Sequence, residues 1–184
     1  IDPLDGTTNF VYGYPHFCVS IAAWRFGKPE IAVVYDPVRN ELFEARAGQG
    51  AFLNRRRLRV RDETDPKRAL FASGLPAYRR EDLERFLARM DACMRVANGY
   101  RRSGSAALDL AYVAAGRLDA YWEAGLMPWD IAAGVLLVQE AGGIVTQLDG
   151  ASVDLASGDV LAASPSMHRA FLEILRRADE GAND

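Results

Sequence analysis

Residues 18–46 read CVSIAAWRFGKPEIAVVYDPVRNELFEAR. The apolar, β-branched runs at 18–24 (CVSIAAW) and 30–35 (EIAVVY) are separated by the turn-forming Gly27-Lys28-Pro29. Asp36-Pro37-Val38-Arg39-Asn40 then turns the chain into a third run at Leu42–Arg46. Strands joined by such short connections run antiparallel, so the segment reads as a meander. Residues 129–141 (WDIAAGVLLVQEA) are apolar on nearly every side and stop at Gly142-Gly143, which predicts a deeply buried helix with a glycine C-terminal stop. The coarse reading is a sheet-rich first third followed by a mixed remainder.

Outward from these stretches the patterns are shorter. Residues 55–61 (RRRLRVR) alternate Arg57, Arg59 and Arg61 with Leu58 and Val60, the pattern of a strand with one wet face, or of a contact for RNA or an acidic partner. From Glu81 to Ala97 the positions Leu83, Phe86, Leu87, Met90, Met94 and Ala97 mark an amphipathic packing helix. Ser105 can cap a helix running to Ala115, and a strand is expected over Leu118–Glu123. Short strands follow at Ile144–Gln147 and Val160–Ala163, and Pro165 opens a last helix to about Ala178. A single domain over 1–178 with a frayed tail at 179–184 is the expected organisation.

The 184 residues are 49% hydrophobic and 26% charged, the balance of a globular protein rather than a disordered, fibrous or membrane one. Lys plus Arg (22) against Asp plus Glu (25) gives a formal charge of −3, so no bulk basic field exists to hold a polyanion. The longest strongly apolar run, Ile131–Val138, is far short of a bilayer-spanning helix, and no membrane partner is expected. Cys18 and Cys93 lie far apart in apolar patterns, which excludes a disulfide framework or a Cys-rich zinc site and fits a reducing cytoplasm. His16 and His168 have no second ligand at helical or hairpin spacing and are expected to be structural.

The densest chemistry lies in Asp2-Pro3-Leu4-Asp5-Gly6-Thr7-Thr8-Asn9-Phe10. Two carboxylates three residues apart, with Pro3 fixing a backbone dihedral between them, can converge on a hard cation that favours oxygen ligands. Asp5 could serve two ions, and the Leu4 carbonyl could complete a shell. Gly6, Thr7 and Thr8 would then present free N–H groups to a phosphate at the start of a helix or turn. The same spacing also suits a strand followed by an Asp-capped turn, in which the threonines close local hydrogen bonds. Asp130 falls in the first turn of the buried helix, where it either complements the helix dipole or points outward as a metal ligand. Arg102-Ser103-Gly104-Ser105-Ala106-Ala107 has small residues at a helix start, which let a ligand approach the backbone. Neither a Cys-based phosphatase signature nor a P-loop occurs.

Taken together, DPLDGTTNF and WDIAAGVLLVQEAGG resemble the paired signatures of the inositol monophosphatase family of magnesium-dependent, lithium-sensitive phosphatases. The resemblance runs from Asp2 to about His168, and the central GSAALDLAYVAAGRLDAYWEAG is similar to the bacterial, SuhB-like branch. It implies a layered α/β sandwich of helices and mostly antiparallel sheets, lacking the family's opening helices and an early hairpin. It also implies two or three Mg²⁺ ions. Asp2 would bridge two of them, the Leu4 carbonyl would bind the first, and Asp5 with Asp130 would hold the second. The family's first-metal Glu, and an acidic residue that works with the threonine on the water, fall upstream of Ile1, so an N-terminal segment is expected to be missing. By the same resemblance Thr7 orients the attacking water, acting with Asp5, and Gly6, Thr7 and Thr8 cradle the phosphate. Glu123 and Asp130 would meet the substrate, and Gly104, Ser105 and Ala106 would line its pocket. The implied activity is hydrolysis of inositol monophosphate or a related sugar phosphate by a cytoplasmic homodimer. The alternative is a scaffold in a transcription antitermination or ribosomal-RNA assembly, with catalysis secondary.

Overall fold

In the computed structural model, which describes residues 1–75 and 83–181, the meander is extended at both ends. Strand β1 (Asp2–Asp5) pairs with β2 (Cys18–Arg25), and β3 (Lys28–Asp36), β4 (Glu41–Arg46), β5 (Gly50–Leu53) and β6 (Arg56–Arg57) follow in spatial order, all antiparallel. Alternation decides the faces: Cys18, Ser20, Ala32, Val34, Phe43 and Ala45 are buried, while Ile21 and Ile31 on the opposite side meet solvent. The strand expected over 55–61 is cut short. Asn54 and Arg55 turn the chain at positive φ, Arg56 and Arg57 pair with β5, the Leu58 N–H still donates to the Ala51 carbonyl, and the backbone then leaves the sheet toward the Ala141 carbonyl, which accepts from the Val60 N–H. Leu58 is nevertheless buried and Arg57, Arg59 and Arg61 exposed, so the wet face exists without a full ladder.

A second sheet has the order β10 (Ile144–Thr146), β11 (Val160–Ala163), β9 (Ala120–Glu123), β7 (Leu70–Ser73), β8 (Gly99–Arg101). Only the pairings of β7 with β8 and β9 are parallel. Between the sheets lie α3 (Ala106–Ala114) and α4 (Pro128–Glu140), which explains why residues 129–141 carry no polar face: Ile131, Ala133, Val135, Leu136, Leu137 and Val138 all touch packed neighbours. Ser105 caps α3 as expected, accepting from the Leu108 N–H. The two helices approach so closely at Gly134 that a Cβ there would stand 2.4 Å from Leu110 Cβ. On the far face of the second sheet pack α2 (Leu83–Val96) and α5 (Pro165–Gly181), around Phe71, Trp122, Met167 and Phe171. The layers are therefore sheet, helix pair, sheet, helix pair, the layered α/β sandwich implied by the sequence.

Two helices differ from expectation. In α2 the packing stripe is Phe86, Met90 and Cys93, whereas Leu83, Leu87 and Met94 are exposed. Arg89 is drawn inside instead, because its guanidinium makes a bidentate bond to Asp179 at 2.7 Å for both contacts. That same bond carries α5 past Ala178, so residues 179–181 are helical rather than a frayed tail. The expected helix start at Glu81 and residues 182–184 of the tail lie outside the described residues. Cys18 and Cys93 are free and buried, with burial pushing both thiols up. Among the described residues no helix is long and apolar enough to cross a membrane.

Candidate functional site

Three element ends converge at one edge of the helix layer. Strand β1 finishes at Asp5, Gly6 turns the chain with φ 86°, and the short helix α1 (Thr7–Val11) begins. A side chain at Gly6 would be both strained and only 2.9 Å from the His16 carbonyl, which accounts for the glycine in DGTTN. Asp2 folds back to accept from the Leu4 N–H at 3.0 Å. Asp130 sits in the first turn of α4 behind Pro128, and one of its oxygens accepts from the Met127 N–H at 2.8 Å. Asp5, Asp2 and Asp130 each offer a carboxylate oxygen, and the three lie within 4.8 Å of one another. Asp130 thus caps its helix with one oxygen and also stands in the carboxylate cluster.

Asp5 is held most firmly. Its Oδ2 accepts from the Ser105 hydroxyl at 2.6 Å and from the Ala107 N–H at 2.8 Å, in the first turn of α3, and the Cys18 thiol points at it from 3.8 Å. Burial raises the Asp5 carboxyl despite these donors, with the neighbouring Asp2 adding to the rise. Burial likewise raises Asp130 to about 6, with Asp5 and Asp2 contributing. Such crowding of half-desolvated carboxyls favours a held proton or a cation, and an all-oxygen donor set suits a hard ion such as Mg²⁺.

Around the cluster the cleft, of about 290 Å³, is lined by all the sequence candidates: Asp2, Leu4, Asp5, Gly6, Thr7, Thr8, Gly104, Ser105, Ala106, Glu123 and Asp130. The Thr7 hydroxyl donates to the Leu4 carbonyl at 2.8 Å, so its lone pairs are free to accept. The first N–H groups of α1 lack intrahelical partners and face the same space. Asn9 fixes this corner by donating to the His16 and Ser103 carbonyls at 2.7 and 2.9 Å. On the opposite wall Glu123, at the end of β9, accepts from the Tyr121 hydroxyl at 2.7 Å, and burial pushes its carboxyl up to about 7.

Two residues, Gly74 and Asp109, and one role of Ser105 were missed in the sequence. Gly74 follows β7 and leaves room for the Glu123 carboxylate, which would stand 2.2 Å from a Cβ there. Ser105 is more than a cap and a lining residue, since it anchors Asp5. Asp109 is 2% exposed, one of its oxygens has no partner, and burial raises it well above the usual carboxylate range. A lone carboxylate inside the apolar run AALDLAYVAA was the available signal.

The chain matches the inositol monophosphatase family over residues 1–180. It is a member of that family. Among relatives of this chain, the protein named Nus factor SuhB from Vibrio cholerae is 48% identical over 182 residues, covering 99% of this chain and 68% of its own length. The inositol-1-monophosphatase of Mesorhizobium japonicum is 47% identical over 177 residues, covering 96% of this chain and 66% of its own. Of solved structures, an inositol monophosphatase from Anabaena superposes with a TM-score of 0.92 at 46% identity, covering 96% of this chain and 70% of the other. The extragenic suppressor protein SuhB from Bartonella henselae gives 0.92 at 42%, covering 95% and 67%. The chain thus spans about two thirds of the length of the curated relatives it matches.

Proposed function

We propose that the protein is a Mg²⁺-dependent phosphomonoesterase that hydrolyses inositol monophosphate or a related sugar phosphate with an activated water. The observation that carries this reading is the convergence of Asp2, Asp5 and Asp130 beside the open N–H groups of α1. Divalent ions held by these carboxylates and the Leu4 carbonyl would supply positive charge at the phosphoryl group and acidify a water. Thr7, whose hydroxyl hydrogen is engaged by the Leu4 carbonyl, orients that water by accepting a hydrogen bond from it. The N–H groups of Gly6, Thr7 and Thr8 hold phosphate oxygens. Glu123 accepts from ring hydroxyls, and the small residues Gly104, Ser105 and Ala106 let the ring approach the backbone. A Mesorhizobium relative named as an inositol-1-monophosphatase supports the substrate class, as does a related structure described as inositol monophosphate bound. The test is phosphate release over a panel of inositol and sugar phosphates. Mg²⁺ dependence and a loss of at least ~100-fold in folded Asp5→Asn and Asp130→Asn are expected, because a metal ligand of this kind is worth several kcal/mol. Turnover indifferent to chelation would refute it.

The second reading, a scaffold in a transcription antitermination assembly, draws on relatives named Nus factor SuhB and on the exposed Arg55, Arg56, Arg57 and Arg59. Partner capture that survives Asp5→Asn separates this role from catalysis.

A further inference from the structure

Behind the wall formed by residues 101–104 lies a second cavity of about 320 Å³, at the small end of the ~300–1,000 Å³ typical of ligand pockets. Its chemistry is the reverse of the carboxylate cleft. Arg39, Arg101, Arg102 and Arg117 line it together with His16 and Tyr112, and no carboxylate does. Two of the guanidiniums are already balanced from behind. Arg39 pairs with the fully buried Asp36 at 2.8 Å, and Arg117 makes a bidentate bond to Glu41 while its guanidinium lies 4.8 Å from the Tyr112 ring centroid. These pairings hold the two cations in fixed positions rather than removing them from the cavity.

The other two guanidiniums are not balanced in this way. Arg101 donates to the Tyr100 carbonyl but forms no ion pair among the described residues. Arg102 forms none either, and stands on the partition between the two cavities, where its charge offsets a small part of the rise that burial imposes on the Glu123 and Asp109 carboxyls. The wall also contains an unfinished polar group: His16 is 6% exposed and its Nε2 has no hydrogen-bond partner. Buried polar atoms without partners are rare in folded proteins. One cavity therefore combines two guanidiniums held in place, two exposed ones without an ion pair among the described residues, no lining carboxylate and an unsatisfied ring nitrogen.

We propose that this cavity is a second anion site, distinct from the carboxylate cleft, which takes a phosphate-sized oxyanion between Arg101, Arg102 and the held pair Arg39 and Arg117, with the His16 ring in its wall. The planar guanidiniums offer forked N–H donors matched to such an oxyanion.

The chain's two histidines supply the assay, since His16 lies in this wall whereas His168 bonds Thr146 on the other side of the second sheet. Proton NMR of the imidazole signals, assigned with His16→Gln, is followed while inorganic phosphate is added in EDTA, with chloride at matched ionic strength as control. Chelation removes metal-assisted binding in the cleft. The expected result is a saturable shift of the His16 signal alone, retained in Asp5→Asn. In Arg101→Gln the affinity should weaken about tenfold or more, the size of one lost charge-assisted hydrogen bond. The unmoved His168 signal reports that each variant is folded. An immobile His16 signal, an equal response to chloride, or unchanged affinity in Arg101→Gln would overturn the assignment.

Discussion

Gly74→Ala places a methyl group where the Glu123 carboxylate now sits. The added Cβ would lie 2.2–2.3 Å from both carboxylate oxygens and the Cδ. Carbon and oxygen make their closest ordinary approach at about 3.3–3.6 Å, so the carboxylate must withdraw by about 1 Å. It is the far end of a flexible side chain, and the withdrawal gives up chiefly the bond from the Tyr121 hydroxyl. That loss, ~1.5–3 kcal/mol for a bond to a charged group, is partly offset by the ~0.4–1 kcal/mol that Gly→Ala gains through the unfolded chain. The fold should therefore be only modestly affected, losing ~0.5–2.5 kcal/mol of unfolding free energy in urea. Substrate selection should change more. A displaced carboxylate no longer accepts from ring hydroxyls, and each charge-assisted bond lost is ~1.5–3 kcal/mol, or ~10- to 150-fold in kcat/KM. The assay compares kcat/KM for inositol 1-phosphate and for p-nitrophenyl phosphate, which has no ring hydroxyls, with Glu123→Ala as the limit. Equal losses on both substrates would show that Glu123 serves the metals or the fold, and undiminished inositol phosphate turnover would remove it from the site.

Thr7→Ala should lower kcat by ~100-fold with KM within a few-fold, whereas Thr7→Ser retains most activity, the pattern of a contact made mainly in the transition state; a change confined to KM would contradict it. Glu123 has a folded pKa of about 7 against an ordinary value of 4.5, so the folded state binds more protons across that window. Metal-free stability should accordingly fall as pH rises from 4.5 toward 7, by up to ~3 kcal/mol, and urea midpoints for Glu123→Gln should show a flatter decline. Gly134→Ala should cost ~1–3 kcal/mol by forcing α3 and α4 apart, and denaturant unfolding of the double variant with Leu110→Ala should recover part of that loss.

Much of the architecture was legible because its signals are local. Cys18–Arg46 carries alternation and turn residues together, and the apolar girth of α4 announces a helix covered on every side. Strands β7 and β8 escaped notice because LFAS and GYR are too short to show a period, and their partners are set by the order of the second sheet rather than by any neighbouring turn. The exposed leucines of α2 mark a different limit: periodicity gives a stripe, but Arg89 displaced it by finding Asp179 about ninety positions away. At the site, Asp2, Asp5 and Asp130 could be read because their motifs are contiguous. Gly74 and Ser105 could not be given their positioning roles, because each acts on a carboxylate remote in sequence.

The tie between Asp5 and the first turn of α3 joins positions 100 and 102 residues apart, and Asp130 reaches the same point from later still. Contacts between such distant positions close large loops and form late as a chain folds. The carboxylate cluster therefore does not exist until the first sheet and the central helices have docked, and partly assembled chains have nothing with which to capture a divalent ion. Any ion held there rewards only the finished structure. It would act as a latch, slowing the unfolding of the native protein while leaving its rate of folding almost untouched.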